Sequence, residues 1–168
     1  GRALRLLQKD HELLRQLSRI YSAAPERLAE TAEKTMQERA ALAREKELIQ
    51  DRLLDHEAAE LLRCAPQSSG RRAVSMVYPD RTLDGIKALA QKLTAHPGTV
   101  AVLGLPDACQ IVVARSKDVD GHCGDAVKKV AVEMGGKGGG RPEFAQAGGF
   151  PPERLQAWMQ ALEAFFRA

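Results

Sequence analysis

The sequence predicts an α+β protein. An N-terminal helical hairpin is followed by a small mixed β-sheet domain with packed helices, in the order β-α-β-β-α-β-α. Three observations carry this. Residues 1–65 contain only Gly1 and Pro25 of the 14 glycines and 8 prolines, so almost nothing there breaks a helix. The other glycines and prolines punctuate short β-branched runs further on. Those runs alternate with segments of helical periodicity, the pattern of helices packed on a sheet.

Leu6, Leu7, Leu13, Leu14, Leu17, Ile20 and Tyr21 share one broad helical face, and that helix is expected to end near Ser22. Pro25 then takes a first helical position with Glu26 in the first turn, opening a second helix that runs to about Cys64. Leu28, Thr35, Leu42 and Ile49 recur at a constant heptad spacing, with Ala32 and Leu53 beside them and Arg39 and Lys46 interrupting the seam. Two readings stand: a weak antiparallel hairpin with a partial coiled coil, or a solvated charged helix that packs only on its neighbour. Pro66, Ser68, Ser69 and Gly70 then break the helix. The boundary they set gives a helical connector at 1–65 and a second domain at 70–168.

In the second domain, residues 73–78 read as a strand. Thr82 caps a helix that places Leu83, Ile86, Leu89, Ala90 and Leu93 inside, and His96-Pro97-Gly98 ends it. Residues 99–104 and 109–115 form strands joined by a turn, hence a hairpin. A helix over 123–134 turns Ala126, Val127, Val130, Ala131 and Met134 inward. Residues 144–148 give a short fourth strand, and Pro151 opens a last helix with Leu155, Trp158, Met159, Leu162 and Phe166 on one side.

Composition sets limits on function. A chain of 168 residues builds a core without staples. A net charge of +3 permits a nucleic-acid partner without demanding one. Aromatic residues at 4% argue against a platform that stacks several bases. Cys64, Cys109 and Cys123 suggest no disulfide framework, so the expected compartment is the reducing cytoplasm. No apolar run approaches a membrane span, and no membrane partner is expected. The chain opens on Gly1 and is read as a piece of a longer protein.

The informative segment is 135–149, GGKGGGRPEFAQAGG. Clustered glycines allow positive φ and close approach of a backbone or a phosphate. Successive amides can form an anion-binding concavity, with charge from Lys137 and Arg141. The segment is not a P-loop: no Ser or Thr follows the lysine, and a helix precedes it. A tight structural crossover with solvated Lys137 and Arg141 is the other reading.

The same fifteen residues closely resemble the signature of the DHHA1 domain, shared by alanyl-tRNA synthetases and free-standing alanyl-tRNA editing proteins. The resemblance covers about 70–168. Gly1-Arg2-Ala3-Leu4 and the stretch His56-Glu57-Ala58-Ala59-Glu60-Leu61-Leu62 resemble the connector that precedes that domain, which favours a free-standing editing protein over a synthetase. The resemblance implies a parent that is an aminoacyl-tRNA deacylase or synthetase. In editing parents, mischarged tRNA(Ala) is hydrolysed at a zinc site in an upstream domain, and no His-x-x-x-His pair of that kind occurs here. The aspartates show no motif like that of the metal-binding domain accompanying DHHA1 in phosphoesterases.

No catalytic residue, metal ligand or cofactor is therefore expected in this chain. His122 reads as a helix cap rather than a catalytic base. Cys123 is a candidate reactive thiol only through its place at a helix N-terminus. Trp158, Phe165 and Phe166 read as core or interface. The candidate nucleic-acid or phosphate-binding residues are Gly135, Gly136, Lys137, Gly138, Gly139, Gly140 and Arg141, with Lys128 and Lys129 close by in sequence. The expected function is a tRNA-binding and assembly module that helps present mischarged tRNA to an editing domain. The alternative is a helix-mediated dimerisation module with little nucleic-acid binding of its own; a homodimer is expected on either reading.

Overall fold

A computed structural model describes residues 1–68 and 70–167. The chain divides into two compact units, Gly1–Asp51 and the part from Arg52 onward.

The first unit is helical. Helix α1 (Arg2–Tyr21) ends where Ser22 enters the left-handed region at φ 48°, and the Ala23 N–H closes back on the Ser18 carbonyl at 3.1 Å. A 3-10 turn at Pro25–Arg27 leads into α2 (Leu28–Cys64), whose last turns belong to the second unit. Helix α1 buries no residue, and among the described residues the element it packs on is the turn at Pro25–Arg27. Of the heptad positions, Leu28 is buried, whereas Leu42 and Ile49 are 65% and 57% exposed. The seven-residue repeat is thus not buried within one chain. The charged positions Arg39 and Lys46 are exposed alongside its exposed apolar residues.

The second unit is a six-stranded sheet in the order β1-β2-β3-β4-β6-β5. Its elements are β1 (Gln67–Ser68), β2 (Arg71–Val77), α3 (Leu83–Thr94), β3 (Thr99–Leu105), β4 (Gln110–Arg115), α4 (Cys123–Met134), β5 (Lys137–Gly140), β6 (Phe144–Gly148) and α5 (Leu155–Arg167). Strands β2 and β3 pair in parallel across the α3 crossover, and every other pair is antiparallel, so the sheet is mixed as predicted. Central β3 is buried along its whole length, in keeping with its unbroken apolar run.

The structure adds two strands to the predicted order. Short β1 lies at one edge, and β5 at the other is made from the glycine segment that reads as a loop.

Two cores flank the sheet. One holds Trp158, Met159 and Leu162 of α5 with Val127 and Val130 of α4, over Val102, Ile111 and Ala145. The other holds Ile86, Leu89 and Leu93 of α3 and Ala58 and Leu62 at the end of α2, over Leu103 and Val112. Burying each large apolar side chain contributes about 1.5–3 kcal/mol. The end of α2 is also held by charge. The Tyr78 hydroxyl donates to Glu57 Oε1 at 3.1 Å, Arg81 pairs with the same carboxylate, and Lys92 Nζ lies 2.8 Å from Asp55 Oδ1. Burial first, and the Glu57 carboxylate second, push the Tyr78 hydroxyl up to about 12.

Candidate nucleic-acid interface

The glycine segment splits into three parts with different physics. Gly135 and Gly136 take φ of +76° and +115° at the end of α4, which only glycine adopts readily. The turn is fixed from outside by Arg154, whose Nη1 donates to the Met134 carbonyl at 2.5 Å. Residues Lys137–Gly140 then form an edge strand, paired Lys137 to Gly148, Gly138 to Ala147, Gly139 to Gln146 and Gly140 to Ala145. Arg141 and Phe144 close the hairpin around Pro142-Glu143, with Arg141 N–H on the Phe144 carbonyl at 2.7 Å.

In β5 the glycines serve close packing. A Cβ at Gly138 would stand 2.5 Å from both the Gln146 carbonyl oxygen and Val127 Cγ1. The start of α4 presses on the same strand: a Cβ on Gly124 would stand 2.5 Å from the Gly140 carbonyl oxygen. The expectation of a cradle of successive amides is corrected here. An extended strand points successive N–H groups in opposite directions, so it forms no concavity, although an edge strand leaves every second peptide group without a strand partner.

The strand alternation sorts the side chains. Gly138 and Gly140, paired with Ala147 and Ala145, face the core under α4 and α5. Lys137, Gly139 and Arg141 face the opposite side with Gln146 and Phe144. On that side α3 packs on β3 and β4 and stops short of β6 and β5. The uncovered strip is a groove. At one end lies an open cleft of about 620 Å³ that includes Gln91, Thr94, Arg115, Lys117, Arg141 and Gln146 in its lining. At the other end a cleft of about 330 Å³ includes Leu83, Gln110, Lys137 and Gln146. Gln146 lines both. Glu143 is the one acidic residue among the lining residues.

The structure thus brings Lys137, Gly139 and Arg141 to one groove. It places the backbone of Gly138 and Gly140 in the groove's edge and leaves Gly135 and Gly136 in the preceding turn. Lys128 and Lys129 do not line the groove. They stand exposed on α4, which packs on the other face of the sheet, and Lys128 lies 3.8 Å from Asp125. The Lys128 side chain nevertheless reaches the glycine strand from α4, its Cε 3.9 Å from where a Cβ on Gly139 would stand. Residues missed from the sequence are Gln146, Arg115, Lys117, Gln91 and Gln110. Arg115 is held by three carbonyls: its Nε donates to Pro142 at 3.1 Å and its Nη1 to Ser116 and Lys117 at 3.0 and 3.3 Å.

Nearby titratable groups are structural. His122 caps α4, its Nδ1 accepting from the Asp125 N–H at 3.2 Å. Burial pushes the Cys123 thiol up to about 11, so it remains a protonated core group despite its place in the first turn of α4. A hydrogen bond from Ser116, above all, lowers the Asp118 carboxyl, which accepts from the Gly98 N–H at 2.7 Å. Among the described residues no three His, Cys, Asp or Glu side chains gather to hold a metal ion. None of the described helices is long and apolar enough to cross a membrane. Trp158 and Phe166 are core residues, with Trp158 stacked on Phe150 at 4.9 Å between ring centroids.

A sheet with this glycine-built edge, closed by α4 and α5, defines a class: the DHHA1 domain matches residues 70–168, and the chain belongs to that family. The particular relatives are alanine–tRNA ligases. That of Pelotomaculum thermopropionicum is 31% identical over 99% of this chain, and that of Methylococcus capsulatus 29% over 98%. The chain spans about a fifth of the length of these relatives, 19% and 20%. Among solved structures, the C-Ala domain of Aquifex aeolicus alanyl-tRNA synthetase matches with a TM-score of 0.54 at 19% identity, covering 62% of this chain and 98% of that one. RecJ from Thermus thermophilus, in its magnesium complex, matches with a TM-score of 0.56 at 16% identity, covering 91% of this chain and 28% of that one. At such identities these two structures establish the shared fold alone.

Proposed function

We propose that this chain is a non-catalytic tRNA-binding module whose groove along β5 and β6 takes the sugar–phosphate backbone. It helps present mischarged alanine-type tRNA to an editing domain elsewhere in its parent, a synthetase or an editing protein. The observation that supports this reading best is the alignment of Lys137 and Arg141 on one face of a side-chain-free edge. The glycines between them put no side chain of their own in a backbone's way, and Arg141 offers a fork to phosphate oxygens while Lys137 offers a point charge. The connector at 1–65 carries the domain at 70–168, and any zinc belongs to the parent's editing domain.

The test is a titration of tRNA(Ala) across salt with Lys137→Ala/Arg141→Ala. Affinity is expected to fall, and the salt slope to flatten by about 0.7–0.9 log units per lost phosphate contact. Unchanged affinity and slope in a folded variant would move the binding surface elsewhere. The chain alone is expected to leave Ser-tRNA(Ala) intact; zinc-dependent turnover by pure chain would overturn the non-catalytic part.

A second reading, helix-mediated homodimerisation, is favoured by one observation: Leu6, Leu7, Leu13, Leu14 and Ile20 of α1 and Leu42, Ile49 and Leu53 of α2 are exposed. A light-scattering mass that stays monomeric at high concentration would remove it.

A further inference from the structure

We propose that the groove distinguishes RNA from DNA, with the Gln146 carboxamide reading a ribose 2′-hydroxyl between phosphates held at Lys137 and Arg141. This rests on the tRNA-binding reading above and specifies its ligand chemistry. Lys137 and Arg141 are four residues apart on an extended segment, hence about 13 Å along the strand. That spacing leaves room between two cations for a sugar. The middle of the span is Gly139, which offers no side chain, and its register partner is Gln146. Gln146 therefore faces the groove from the neighbouring strand, at the junction of both clefts.

Its chemistry fits a hydroxyl better than a phosphate. A phosphate oxygen only accepts, and the two cations answer it. A 2′-hydroxyl donates and accepts, as a carboxamide does. No hydrogen bond to the Gln146 side chain occurs among the described residues, so its amide is available. Gln110 and Gln91, lining the two ends, keep the groove rich in amides rather than uniformly cationic. A deoxyribose in the same place leaves the Gln146 amide covered and unpaired, which disfavours DNA.

The experiment uses the whole chain, with fluorescence anisotropy of a short single-stranded RNA and the DNA of the same sequence, beside a tRNA(Ala) transcript. Wild type is expected to bind the RNA roughly five- to tenfold tighter than the DNA. Gln146→Leu is expected to bring RNA affinity down to that for DNA while leaving DNA affinity in place. Gln146→Ala serves as a second variant should leucine disturb β6, and a thermal melt checks both. The Lys137→Ala/Arg141→Ala variant is expected to weaken both strands alike and keep their ratio. Equal binding of RNA and DNA by wild type, or an RNA preference that survives both Gln146 variants, overturns the inference and leaves the tRNA reading standing. So does tRNA binding without binding of either short strand. Binding of none of the three probes overturns the tRNA reading and this inference together.

Discussion

Helices α1 and α5 carry similar amphipathic patterns and meet opposite fates. In α5 the apolar face of Leu155, Trp158, Met159, Leu162 and Phe166 is buried against the sheet. In α1 the corresponding stripe stays open, with Leu7 and Ile20 66% and 74% exposed. Periodicity states that a face gains from being covered; it does not state by what. For α5 the cover is local, since β3 and β4 offer a flat apolar surface. For α1 the cover among the described residues is the turn at Pro25–Arg27 alone. The second unit should therefore hold its fold through internal packing, and the helical unit should respond mainly to association.

This contrast can be broken experimentally. The largest effect is expected from Leu162→Ala, which empties a fully buried site and should destabilise the second unit by about 2–5 kcal/mol. Trp158 is the chain's 1 tryptophan and sits in that core, so its fluorescence in a urea titration reports the loss. Gly138→Val should follow, at about 1–3 kcal/mol, because its Cβ meets the β6 backbone and Val127. It should also loosen β5 in hydrogen exchange.

A smaller effect concerns pH. The Tyr78 hydroxyl is raised to about 12, so its contribution is whole below pH 10 and is lost as pH rises from 10 through 12. Two full units would carry about 2.7 kcal/mol. Tyr78 is partly exposed, and solvent screening reduces that figure. Tyr78→Phe should remove the alkaline step from a series of melts. The smallest effect on the second unit is expected from Leu7→Ser/Leu14→Ser, within about 0.5 kcal/mol by the same fluorescence. A large change there would mean that α1 is covered in solution, and a drop in light-scattering mass would say by what.

Much of the fold is legible in the sequence wherever local signals agree with the packing. Helix α4 and strand β6 have the bounds the pattern predicts, and Thr82 caps α3 as its chemistry suggests, accepting from the Gly85 N–H at 3.2 Å. Strand β5 is not legible, because glycine is among the residues least suited to a strand by propensity; its reason for being there is Val127 and Ala147 pressing from a distant helix and a neighbouring strand. The clamp of Glu57 on Tyr78 and Arg81 is hidden for the same reason, since its partners are far apart in sequence. In the groove, Lys137 and Arg141 are legible from their charge beside glycines. Gln146 had a signal that went unused: it is the polar member of an alternating run between buried Ala145 and Ala147, which turns it away from that core. Arg115 and Lys117 become groove residues only through strand order.

The bare edge of β5 also bears on solubility. A strand of three consecutive glycines presents its unpaired peptide groups without side chains to keep another chain's strand away, and such edges invite sheet extension between molecules. Here the strand is only 4 residues long, begins with a lysine, and is followed at once by an arginine and a proline that cannot donate to a ladder. The two cations that offer charge to an anion are thus also the guards of an aggregation-prone seam, and neutralising them trades ligand affinity and colloidal stability together.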